Sequence, residues 1–123
     1  MRSNEFGVFV KERRATRRLS LRRFAEAADL DPGNASRMER GLVPPPEHPE
    51  VLERIAAALQ LGKRSADYRR LCDLAATAKG HIPEDLLSDP EVAARLPILF
   101  RTLRSKPLDG AQLDKLIDAI RKT

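Results

Sequence analysis

The chain has 123 residues, of which 41% are hydrophobic, 33% charged and only 4% aromatic, and it carries a formal net charge of +5. That length allows one domain, or one small domain with an appendage, and the composition suits aliphatic helix packing rather than an aromatic ligand cage. A single cysteine excludes an intrachain disulfide framework, and no stretch approaches the ~20 apolar residues of a membrane span.

A first helix is expected from about Asn4 to Arg17, with Phe6, Phe9, Val10 and Arg14 facing inward. Its end merges into the basic run 11–18, followed closely by Arg22 and Arg23. Residues 19–41 then read as two short helices joined by a tight turn. Ser20 is a good N-cap, and Leu21, Phe24, Ala25 and Ala28 recur at helical spacing. Asp29 falls at the turn, where it tolerates the left-handed conformation better than most residues. Leu30 can plug the turn into the core. Asp31-Pro32 opens the next helix as N-cap and first helical residue, and Gly41 closes it. Ala35 and Met38 face inward, which leaves Pro32, Gly33, Asn34, Ser36, Arg37 and Arg40 on the outer face. A basic, amide- and hydroxyl-bearing helix held this way can enter the DNA major groove.

Pro44, Pro45, Pro46 and Pro49 make the following segment extended. A fourth helix is expected at about Pro49–Leu61, with Val51, Leu52, Ile55, Ala56 and Leu59 inward and Gly62 as its stop. A fifth follows at about Ser65–Lys79, striped by Tyr68, Leu71, Cys72 and Ala75 and widened by Leu74 and Ala78. Cys72 in that pattern reads as a core thiol. After Gly80 the texture changes. Residues 82–87 read as a short helical turn, and Asp89-Pro90 opens a helix to about Leu96. Pro97 is expected to interrupt or restart it before Leu99, Phe100 and Leu103. Asp109 caps a last helix, about Gly110–Lys122, with Leu113, Leu116, Ile117 and Ile120 along one face. No strand is demanded, so the fold class is all-α. The division expected is 1–62 for DNA docking and 63–123 as a helical dimerisation or regulatory segment.

The 19–41 pattern resembles the phage-repressor-like (Xre/Cro) helix-turn-helix regulators, and the wider stretch from about Phe6 to Leu61 fits their five-helix plan. The resemblance implies an ion pair between Arg14 and Glu39. It also implies base reading from the first turns of the second motif helix, here by Gly33, Asn34, Ser36 and Arg37. Leu21 stands where that family often has a phosphate-binding Gln, and Pro32 and Gly33 stand where it often has amide or charged side chains. A second, shorter resemblance covers Ile82-Pro83-Glu84-Asp85-Leu86, Asp89-Pro90, Leu96-Pro97 and Arg101-Thr102-Leu103. These look like the C-terminal part of repressors controlled by an ImmA/IrrE-type metalloprotease, which implies release from the operator by cleavage there.

Charge supports the same division of labour. Residues 1–41 hold ten Lys/Arg against six Asp/Glu (+4), and residues 42–123 hold thirteen against twelve (+1). A run such as 11–18 is by itself a solvated face or a membrane-surface patch. Before a helix-turn-helix it is better read as phosphate-binding charge. Arg17, Arg18, Ser20, Arg22, Arg23 and Arg40 are the phosphate-binding candidates.

Enzymatic readings lack a motif. His48 and His81 lie in Pro-flanked loops and, with one Cys, form no zinc spacing. Glu84, Asp85, Asp89 and Glu91 gather at helix starts, where negative charge is favoured anyway. No catalytic residue, metal or cofactor is expected. No signal peptide is visible, and a reducing cytoplasm is the expected compartment.

The expected function is a sequence-specific transcriptional regulator binding double-stranded DNA, a homodimeric repressor on a palindromic operator. Phe100, Leu103, Leu113, Leu116, Ile117 and Ile120 are the candidate dimerisation residues. They would set two recognition helices about 34 Å apart. The alternative is an antitoxin that neutralises a toxin and represses its own operon. A toxin or a regulatory metalloprotease would then be a further partner. No membrane partner is expected.

Overall fold

The computed structural model describes residues 4–122. Among them are eight helices: α1 (Glu5–Thr16), α2 (Leu21–Ala27), α3 (Pro32–Glu39), α4 (Pro49–Ala58), α5 (Ala66–Ala78), α6 (Glu84–Leu87), α7 (Pro90–Ser105) and α8 (Gly110–Arg121). No strand occurs among the described residues, and none of the helices is long and apolar enough to cross a membrane. The fold is all-α.

The chain forms two compact units that divide between Pro83 and Glu84. In the first, Phe6, Phe9 and Val10 of α1, Phe24 and Ala25 of α2 and Ala35 and Met38 of α3 share one core. Leu52, Ile55 and Ala56 of α4 and Leu71 and Ala75 of α5 belong to the same core. The unit therefore runs well past the Gly62 boundary expected from the sequence. The cause is α5, which packs on both α1 and α4. Cys72 and Leu74 are half-buried against this core, while Ala78 is exposed and does not widen the stripe.

Each helix of this unit stops in the same way. Arg18, Asp29, Gly41, Gln60 and Gly80 have left-handed φ of 55°, 56°, 77°, 59° and 74°, each just past the end of α1 to α5 in turn. The next residue's N–H then reaches back to a carbonyl of the last turn: Leu19 to Arg14, Leu30 to Ala25, Leu42 to Arg37, Leu61 to Ala56 and His81 to Ala76. These are Schellman closures, which satisfy carbonyls a helix end leaves orphaned. Leu19, Leu30 and Leu61 pack onto the core as they do so. Gln60, not Gly62, makes the turn after α4, so Gly62 is not the helix stop that its residue type suggests.

The second unit begins with α6. Its two longer helices start from strong local signals: Asp89 accepts from the N–H groups of Glu91 and Val92 at α7, and Asp109 forms a capping box with Gln112 at α8. None of α6, α7 and α8 holds a buried residue. Contrary to the expected break, α7 runs unbroken through Pro97. The ring lacks an N–H for the Ala93 carbonyl, but it is exposed, so the loss falls on one hydrogen bond rather than on packing.

Candidate nucleic-acid interface

The interface is built on α2 and α3, which pack against each other, with α1 behind α3. Ser20 accepts from the N–H of Arg23 at 3.1 Å, and Asp31 Oδ2 accepts from the N–H of Asn34 at 3.0 Å, so both helices are capped as their sequences require. Ala35, Met38 and Glu39 fix the inner face of α3. Its outer face leaves Pro32, Gly33, Asn34, Arg37 and Arg40 exposed, with Ser36 half-buried. Arg22 and Arg23, at the start of α2, are exposed, as are Arg18 and Ser20 just before it.

Arg37 does not wave freely. Its Nη2 donates to Asn34 Oδ1 at 2.5 Å, one turn back on the same helix. The guanidinium lies over Gly33, where an added Cβ would stand 3.5 Å from Nη1 and 3.7 Å from Nη2. Those are ordinary van der Waals distances, and the tighter neighbour of such a Cβ is the capping Asp31 Oδ2 at 3.0 Å, so Gly33 presents no side chain of its own beneath Arg37. Three donors for base edges or phosphates are thus gathered along α3: the Asn34 amide, the Arg37 fork and the Arg40 guanidinium.

The back of α3 is held by polar contacts. Arg14 Nε and Nη2 donate to Glu39 Oε2 and Oε1 at 2.8 and 3.0 Å, and Arg14 Nη1 reaches the Leu19 carbonyl at 2.9 Å. The side chains of Arg14 and Glu39 are only 17% and 6% exposed, so this fork-to-fork pair ties α1 to α3 and to the turn before α2. Two further contacts had weaker sequence signals. Asn4 Nδ2 donates to the Glu39 carbonyl at 3.0 Å. Gly7 lies buried in α1 where a Cβ would overlap the Glu39 carbonyl and lie 2.6 Å from that of Met38. A glycine on the inward face of a helix was the clue to that close approach.

Two arginines hold helix ends. Arg17, a phosphate-binding candidate in the sequence, donates to the Leu59 and Gln60 carbonyls at 3.2 and 3.3 Å and so braces the end of α4. Arg54 Nε donates to the Ala28 carbonyl at 3.0 Å at the end of α2. Lys79 pairs with Glu47 at 3.2 Å, which ties the proline-rich segment to α5.

Other candidates lie apart from this face. His48 precedes α4 and makes no side-chain cap, and His81 is exposed. Glu84, Asp85 and Glu91 stand in first helical turns. No group of three or more His, Cys, Asp or Glu among the described residues could hold a metal ion. Burial pushes the Cys72 thiol up from its ordinary value, so it stays protonated at neutral pH. Phe100, Leu113, Leu116, Ile117 and Ile120 are exposed, and Leu103 is half-buried.

No curated protein and no solved structure matches the chain. A family model described as a helix-turn-helix domain matches residues 5–67, more than half of the chain, so the chain belongs to that family, a membership that suggests a DNA-binding regulator.

Proposed function

We propose that this chain is a sequence-specific transcriptional regulator of Xre/Cro type. It acts in the cytoplasm as a homodimeric repressor that occupies a palindromic operator through the major groove. The observation that carries this reading is the outer face of α3, where Asn34, Arg37 and Arg40 stand together on a helix anchored from behind by Arg14–Glu39. Arg37 reads guanine through its fork, Asn34 and Ser36 supply further polar contacts to base edges, and Gly33 admits close approach. Arg18, Ser20, Arg22, Arg23 and Arg40 bind phosphates, while Arg17 is left to its structural role. No catalytic role is assigned to any residue.

Selection of bound sequences from a random duplex pool tests this. Enrichment of an inverted repeat is the expected outcome. Arg37→Ala should cost about 1–3 kcal/mol on that site and relax one position per half-site. Arg22→Ala and Arg23→Ala should weaken binding on every sequence and flatten its salt dependence. A pool that stays random, or an unchanged preference in Arg37→Ala, contradicts the reading.

One observation favours a second reading. The exposed apolar residues of α8 suit a different protein as well as a second copy, as an antitoxin would require. Mass measurement of the complex purified from its native cell separates the two, because a toxin adds a second polypeptide. Cleavage within residues 84–123 by a regulatory metalloprotease is the form of control the shorter resemblance implies. It would remove the assembly surface and leave the first unit intact.

A further inference from the structure

We propose that α7 pairs antiparallel with α7 of a second copy, across a two-fold axis beside Pro97-Ile98. This rests on the homodimer reading and assigns its surface. Val92, Leu96, Leu99 and Leu103 follow at intervals of four, three and four residues, which places them in one narrow stripe of the helix. The spacing reads the same in both directions. Under the proposed axis Val92 meets the partner's Leu103, and Leu96 meets the partner's Leu99, so each apolar position faces an apolar one. Ala93 and Phe100 share one flank of the stripe, and the pairing lays the Phe100 ring over the partner's Ala93. Leu99 and Phe100 are 45% and 38% exposed in the single chain, while Val92, Ala93, Leu96 and Leu103 on the same side are half-buried and α6 packs on α7, so the pairing would complete a partly covered stripe.

Charge selects the antiparallel direction. Asp89 and Glu91 mark the start of α7, and Arg104 and Lys106 its end. Antiparallel pairing brings Asp89 to the partner's Arg104 on the flank of Phe100, and Glu91 to the partner's Lys106 on the other flank. Parallel pairing would bring like charges together at both ends. Asp89 caps α7 through Oδ1, which leaves Oδ2 for a guanidinium. A contact in which each residue meets its counterpart reciprocally is what a two-fold interface needs, and a foreign partner would not require it. In α8 the acidic Asp114 and Asp118 and the basic Lys115 and Arg121 are interspersed, so that helix sets no such direction.

The test is sedimentation equilibrium of the full chain as wild type, Glu91→Lys, Lys106→Glu and the double variant. Each single change should raise the dimer Kd about tenfold, and the double variant should return to within about threefold of wild type. Each change also places the wrong charge at an end of α7, so damage to the helix itself would accumulate in the double variant, whereas interface damage cancels. Leu99→Asp should abolish the dimer and leave unfolding of the first unit unchanged. A dimeric wild type whose single variants are unaffected, or whose double variant is worse than either, overturns the α7 pairing and leaves the dimer reading standing. A wild type that is monomeric at micromolar concentration overturns both.

Discussion

Residues 4–83 and 84–122 begin their helices alike and end up differently. Side-chain caps open α2, α3 and α5 in the first unit, and α7 and α8 in the second. The first unit then closes every helix with a left-handed residue and sends Phe24, Ile55, Leu59 and Leu71 into one core with no measurable exposure. In the second, α7 ends at Lys106 with φ −132°, and Leu113, Leu116 and Ile117 remain 38–45% exposed. Local signals specify where helices lie, but a core must be buried for them to persist, and a segment of about 40 residues seldom manages that alone. The first unit carries its core within itself, and the second leaves apolar side chains exposed, which the proposed association would cover.

The largest effect should come from the core of the first unit. Phe24→Ala removes a fully buried ring and should destabilise the protein by about 3–5 kcal/mol in chemical denaturation. The same truncation at Phe100 should leave the denaturation midpoint of the first unit in place. Glu39→Ala comes next. It strands Arg14 in a mostly dry setting and should lower stability by about 3 kcal/mol, weakening DNA binding as α3 loses its anchor. An unchanged midpoint would mean that the pair carries no stability.

Gly7→Ala should cost about 1–3 kcal/mol, because the new methyl meets main-chain carbonyls of α3 that cannot swing aside as a side chain would. Arg17→Ala should be smallest, about 1 kcal/mol, through the lost hydrogen bonds to Leu59 and Gln60. Its diagnostic feature is a lowered thermal midpoint with the salt slope of DNA binding retained, opposite to Arg22→Ala. A flattened salt slope would return Arg17 to the phosphate contacts.

Much of this comparison was legible in the residues. Asp31-Pro32, Asp89-Pro90 and Asp109 announced helix starts because capping is local chemistry. Arg14–Glu39 and the outer face of α3 followed from a motif with fixed spacing. What the sequence hid depends on tertiary company. Arg17 looks like any other member of a basic run until the end of α4 arrives beside it. Gln60 takes a left-handed turn two residues before a glycine that could have done so more cheaply, since Leu61 must enter the core. Pro97 argues for a break that the flanking helical turns overrule. The boundary at Gly62 misled because a glycine marks the end of a helix, not the end of the core that the next helix joins.

On the proposed reading, the first unit is sufficient in itself and the second is completed by association. Sedimentation equilibrium of the full chain beside a chain ending at Pro83, both at micromolar concentration, tests it most directly. A dimer for the full chain and a folded monomer for the shortened one are the expected results. Two monomers, or two dimers, would contradict that reading.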